Sequence, residues 1–215
     1  MYEGWRLLAV AEHYYSNQPT AAHDRKMLEV ELRGKKLKLM TDTGVFSKGA
    51  IDFGSRLLIE TIEIAADANV LDIGCGYGPI GLSAALLAPQ GRVTMADVNE
   101  RALALAAENA RLNGIRNVQI VISDLFQELS GMAFSVIVSN PPIRAGKQIV
   151  HRLFEDAYAH LVDNGELWIV IQKKQGAPSA VEKLEQLFGD VKEITRSKGY
   201  WIIKAKKNAI GPMSG

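Results

Sequence analysis

The chain has 215 residues, 25 Lys and Arg against 24 Asp and Glu, a formal net charge of +1, and 47% hydrophobic residues. That length and composition suit one full α/β domain with at most a small appendage. Near-neutral charge gives no global attraction to nucleic acid, a lone cysteine, Cys75, excludes an intramolecular disulfide and speaks against a zinc cage, and no apolar run reaches the roughly 18–20 residues of a membrane span.

Residues 1–10 have a short apolar centre but no basic start, so they do not read as a signal peptide and a cytoplasmic location is expected. Residues 13–26 are polar and predict surface loop. Residues 27–43 alternate, with Leu28, Val30, Leu32, Leu37 and Leu39 apolar around Arg33-Gly34-Lys35-Lys36, which predicts a β-hairpin. Leu57, Leu58, Ile62 and Ile64 predict a helix within 50–64. From there strands and helices alternate. Strands are expected at 69–73, 92–98, 118–123, 134–139 and 166–172. Helices are expected at 80–87, from the Asn99 cap to Leu112 before Asn113-Gly114, at 148–161 up to Asp163-Asn164-Gly165, and at 178–188. A closing antiparallel hairpin is expected from residues 191–195 and 200–205. Repeated βα units imply a mainly parallel sheet with helices on both faces. The expected divisions are 1–48 (extension and hairpin), 49–207 (catalytic domain) and 208–215 (tail).

Two motifs fall where such sheets bind ligands, at the carboxyl ends of strands. Asp72-Ile73-Gly74-Cys75-Gly76-Tyr77-Gly78 is a glycine-rich turn after a hydrophobic strand. Gly74, Gly76 and Gly78 let backbone approach a ligand, and the next helix offers free N–H groups. Spaced glycines also match a dinucleotide site. Asp72 instead favours S-adenosylmethionine (SAM), because its carboxylate suits a methionine ammonium and repels phosphate. Asp97, ending the next strand, suits ribose hydroxyls, and Asp124, ending the one after, suits the adenine amine. The second motif is Asn140-Pro141-Pro142. An amino nitrogen donating its two hydrogens to the Asn140 side-chain oxygen and the Pro141 carbonyl would free its lone pair for a methyl group. Proline fixes φ and keeps those carbonyls aimed.

These residues carry a family resemblance. The chain resembles class I SAM-dependent methyltransferases, within them the small methyltransferase domain family, which includes ribosomal RNA small-subunit guanine-N2 methyltransferases. The resemblance runs from about His13 to Lys207. It rests on Thr43-Gly44-Val45-Phe46-Ser47-Lys48-Gly49, residues 71–78, Ala96-Asp97-Val98-Asn99, Ser123-Asp124-Leu125, and residues 140–147. It implies a Rossmann-like, seven-stranded sheet with an antiparallel last strand. It implies SAM held by the Asp72 loop, Asp97, Val98, Asp124, Leu125 and Asn140, with Asn140, Pro141 and Pro142 at the target amine. Many amino-methyltransferases have an aromatic residue where Ile143 stands, so the base sandwich must be completed by Phe46, Tyr77 or Trp168. Many also carry a second, degenerate domain that helps bind RNA, for which this chain has no room.

Ile143, Arg144, Lys147 and Phe46 are expected at the substrate, with Arg144, Lys147, Lys173 and Lys174 as a basic rim for phosphates. The expected partner is RNA, as small-subunit ribosomal RNA or the ribosomal particle, and the protein is a monomer or weak homodimer. No metal or membrane is expected, since His13, His23, His151 and His160 lack ligand spacing. Three other readings stay open: protein glutamine N-methylation, a SAM-binding subunit without activity, and a dinucleotide oxidoreductase.

Overall fold

The computed structural model describes residues 22–47 and 49–209. The extension 1–12, His13, Lys48 and the tail from 210 onward lie outside the described residues. Strands β1 (Lys26–Leu32) and β2 (Lys35–Thr41) form the N-terminal hairpin, paired from Lys26 opposite Thr41 to Leu32 opposite Lys35. Its turn is only Arg33 and Gly34, both at positive φ (48° and 71°). This two-residue geometry matches the strands' own twist, so Lys35 and Lys36 pair as strand rather than turn.

The main sheet contains β3 (Asn69–Ile73), β4 (Arg92–Asp97), β5 (Val118–Ile122), β6 (Phe134–Ser139), β7 (Leu161–Gln172), β8 (Asp190–Ser197) and β9 (Tyr200–Lys206), in the order β5-β4-β3-β6-β7-β9-β8. Neighbours from β5 to β7 are parallel, and β9 lies antiparallel between β7 and β8. Five α-helices cover it among the described residues: α1 (Phe53–Thr61), α2 (Pro79–Leu87), α3 (Glu100–Leu112), α4 (Lys147–His160) and α5 (Ala177–Phe188).

The near-continuous apolar strands divide by parity into two cores. Val70, Val136, Val138, Trp168 and Val170 face α1, α2 and α3. Leu71, Ile137, Leu167, Ile169 and Ile171 face α4 and α5. Leu32, Leu37 and Leu39 of the hairpin join the first of these cores. The hairpin is further clasped by α3. Asn109 accepts from the Met40 amide (2.6 Å) and donates to its carbonyl (3.0 Å), and Asn113 does the same to Lys38 (2.9 and 2.7 Å). One helical turn between the two amides matches two residues along the strand.

The largest boundary difference from the sequence reading follows α4. Asp163-Asn164-Gly165 does not separate a helix from a strand, because β7 begins at Leu161 directly after α4. Asn164 absorbs the bend at φ 63°, and the ladder continues through Asn164 N–H to the Lys207 carbonyl and Lys207 N–H to the Gly165 carbonyl, both 2.9 Å. Turn-type residues here make an irregularity inside a strand.

Candidate active site

Sequence order reverses at β3, with β4 on one side and β6 on the other. Strand ends splay at such a point and leave a crevice. A cavity of about 310 Å³ opens there, lined from the ends of β3, β4, β5 and β6 and by Phe46, Ser47, Asp52 and Ser55. Buried Ser139 ties the two diverging strands by donating to the Ile73 carbonyl at 2.9 Å.

The wall along β3 to β5 is mostly backbone. Gly74 and Cys75 N–H groups both donate to the Ala96 carbonyl (2.9 and 3.1 Å), wrapping the loop over the end of β4. Gly74 and Gly76 have φ of 75° and 57°, with nothing within 4 Å of where a Cβ would stand. Their side-chain space is therefore open to a ligand. Gly78 lies outside the cavity lining and is the left-handed cap of α2 (φ 94°). Asp97 lines the cavity. Its Oδ2 accepts from Gly76 N–H (2.8 Å) and its Oδ1 from Asn99 N–H (2.9 Å). Burial raises its pKa, against the pull of those bonds. Val98, Asp124 and Leu125 also line the cavity, Leu125 at φ 49°.

Asp72 stands elsewhere than the sequence reading put it. It is fully buried behind the loop and outside the cavity lining. Its Oδ2 accepts from Gly81 N–H at 2.7 Å, and its Oδ1 has no partner. Burial pushes its pKa up to about 7, with nearby Asp97 adding to the rise. Asp72 thus anchors the first turn of α2, where a Cβ on Gly81 would come within 2.4 Å of Met95 Sδ. Cys75 is likewise buried, and burial drives its thiol pKa far above the usual range, which suits a packing role. The acids that face the cavity are Asp52, Asp97 and Asp124, and no Lys or Arg lines it among the described residues.

The opposite wall is made of side chains. Asn140 lines the cavity at the end of β6. Its amide nitrogen donates to Ser55 Oγ (3.0 Å) and Asp52 Oδ1 (3.3 Å). Both amide protons are thus used, and Asn140 Oδ1 is the acceptor left for the cavity. Asp52 also caps α1, its Oδ1 accepting from Ser55 N–H at 3.0 Å. Pro141 is buried and outside the lining, and its carbonyl accepts from Ile143 N–H (2.8 Å) around Pro142 (φ −76°, ψ 73°). This inverse γ-turn uses one of that carbonyl's two lone pairs, and the structure does not bring Pro141 to the cavity wall where the sequence reading put it.

Pro142 and Phe46 line the main cavity, and Phe46 is 44% exposed at its rim. Ile143 and Lys147 face a second cavity of about 210 Å³ with His151 and Ser179. Arg144 is exposed and lines neither. Of the other two aromatic residues named for the base sandwich, Trp168 is buried with its Nε1 donating to Glu166, whereas Tyr77 lines the cavity. The Tyr77 hydroxyl is buried without a partner, and burial raises its pKa. Sequence reading missed Asp52 and Ser55. The Asp-x-x-Ser start of a helix signals a cap, but nothing local links it to Asn140.

The cavity fits SAM on three observations: an open glycine cradle, an orphaned buried hydroxyl, and a lining whose charged members among the described residues are all acids, which favours a cationic ligand over a pyrophosphate. With the seven-stranded topology, these define the class as a SAM-dependent methyltransferase.

The chain belongs to the methyltransferase small domain family, whose model matches residues 36–204. It is 54% identical to the uncharacterised protein YbxB of Bacillus subtilis (strain 168) over 92% of this chain and all of YbxB. It is 36% identical to ribosomal RNA small subunit methyltransferase C of Mannheimia succiniciproducens over 73% of this chain, but only 47% of that protein. The chain thus spans about half the length of the curated ribosomal RNA methyltransferases it matches. A structure of the Thermus thermophilus 16S rRNA N2 G1207 methyltransferase, in complex with AdoMet and guanosine, superposes with a TM-score of 0.78 at 24% identity. The match covers 88% of this chain and 52% of that one, and at this identity it shows a shared fold.

Proposed function

We propose that this protein methylates an exocyclic amine, N2 of guanine in small-subunit ribosomal RNA. The observation that carries the reading is the Asn140 amide, whose two protons are held by Ser55 and Asp52 so that it offers a hydrogen-bond acceptor to an acid-lined cavity. SAM supplies a methyl group already activated on a sulfonium. The residues that would hold it are the loop at 74–77, Asp97, Val98, Asp124 and Leu125, while Asn140 meets the acceptor amine. Accepting an amine hydrogen at Asn140 Oδ1 weakens conjugation of the nitrogen lone pair with the base. It also stabilises the positive charge growing on nitrogen, and a fixed acceptor does so without reorganisation. Asp52 beside it adds a negative potential of the same sense.

Small-subunit ribosomal RNA is favoured by the named substrates of relatives of which this chain spans about half the length. Exposed cations support it. Lys173 N–H bonds the Gly199 carbonyl (2.7 Å), bringing exposed Lys173 and Lys174 beside exposed Lys198 at the cavity's end of the sheet, the end that also carries Arg144 and Lys147. Such a rim grips phosphates despite a net charge near zero.

Labelled SAM offered to naked small-subunit RNA, assembled subunits and total protein tests the reading through nucleoside and amino-acid analysis. N2-methylguanosine is the expected product. Label in protein alone would move the acceptor to a glutamine amide, and SAM binding without transfer would leave a non-catalytic subunit.

A further inference from the structure

Asn140 is oriented from the start of α1, and the way Asp52 does this leaves something over. Both bonds that Asp52 makes in this region, from Ser55 N–H at 3.0 Å and from Asn140 Nδ2 at 3.3 Å, end on Oδ1. Its second oxygen, Oδ2, takes part in neither. Asp52 is half-buried and lines the cavity beside Asn140. The acceptor wall therefore carries two neighbouring hydrogen-bond acceptors, Asn140 Oδ1 and Asp52 Oδ2.

Nucleobase amines differ in what stands next to them. In guanine the N2 amine adjoins N1–H, a second donor. In adenine and cytosine the amine adjoins a bare ring nitrogen, whose lone pair a carboxylate repels. A wall of two acceptors thus reads a pair of donors, and a buried mismatch there is heavily penalised.

We propose that Asp52 is the specificity-determining residue of this site, holding Asn140 through Oδ1 while Oδ2 accepts the N1–H of the guanine whose N2 amine meets Asn140. The inference rests on the guanine reading above and adds to it how that base is chosen.

Asp52→Asn isolates the claim. Asparagine caps a helix as well as aspartate does, and one oxygen remains to take Ser55 N–H and the Asn140 amide. Only the Oδ2 position changes, from acceptor to N–H donor. The probes are guanosine and 2-aminopurine riboside, which share the 2-amine but differ at N1, each used to inhibit methyl transfer to small-subunit RNA. The parent protein is expected to be inhibited about 10- to 100-fold more strongly by guanosine. In Asp52→Asn that preference should vanish or reverse, with SAM affinity and melting temperature nearly unchanged. Ser55→Ala, which removes one partner of the Asn140 amide, should lower kcat about 3- to 10-fold and keep the guanosine preference.

An Asp52→Asn protein that still prefers guanosine, or a parent that does not distinguish the two nucleosides, would overturn the inference while N2-methylguanosine formation stood. A parent that makes no methylated guanosine would withdraw the guanine reading, and this inference with it.

Discussion

The two walls of the cavity are built on different principles. The cofactor wall is held mainly by main-chain amides over short stretches of sequence: Gly74 and Cys75 N–H on the Ala96 carbonyl, and Gly76 N–H on the Asp97 carboxylate, 21 residues away. The acceptor wall is held by three side chains, with Asn140 tied to residues 85 and 88 positions earlier. A wall made of backbone tolerates the loss of one side chain better than a wall made of side chains. Catalysis should therefore be the more brittle property of this site, and cofactor binding the more redundant one.

Asn140→Ala is the sharpest way to break the contrast. Turnover should fall on the order of 10²–10³-fold, while SAM affinity from calorimetric titration stays within a few-fold. A parallel loss of both would erase the distinction between the walls. Asp97→Ala should act in the opposite sense. It removes one bond to the glycine loop, one to Asn99 N–H and a cavity-facing acid, so SAM affinity should drop about 10- to 100-fold, with kcat at saturating SAM much less affected.

Gly81→Ala tests the packing behind the cofactor wall, because a Cβ there would overlap Met95. Overpacking of this kind costs about 1–3 kcal/mol, read as a lower Tm of about 2–4 °C for each kcal/mol in a chain of this size. Met95→Ala in the same chain should recover part of that loss. A pH-dependent test belongs to Asp72, whose folded pKa of about 7 stands above the ordinary 3.8. Its contribution to stability is fully present below about pH 4 and is lost as pH rises through 7. Asp72→Asn should therefore gain in melting temperature relative to the parent as pH climbs across that window. A pH-independent difference would show that Asp72 ionises as freely in the fold as outside it.

What was legible in the sequence follows the same division. The glycine loop, Asp97, the Asn99 cap and the apolar strands are local signals, and each strand from β3 to β6 falls within a residue of its expected bounds. The antiparallel last strand was also implied, though not its place between β7 and β8. Asp72 was misplaced because an acid near a strand end can face either the ligand or the helix stacked above, and strand parity turned it toward Gly81. Asp52 and Ser55 were invisible as site residues because they reach Asn140 only through tertiary folding. Ile143 and Lys147 sit close to Asn140 in sequence, yet the γ-turn at Pro142 swings them to the second cavity. Proximity along the chain was a poor guide there.

The two amides of α3 that clasp the N-terminal hairpin have a bearing on solubility. The outer edge of a two-stranded ribbon presents bare N–H and C=O groups, a template on which another chain can add a strand and seed aggregates. On β2 those groups at Lys38 and Met40 are consumed by Asn113 and Asn109. Asn109 also donates to the Tyr77 carbonyl, so the same residue that closes the edge braces the glycine loop. Losing that single amide would open a sticky margin and slacken the cofactor cradle together, which gives the hairpin a protective duty quite apart from any contact with substrate.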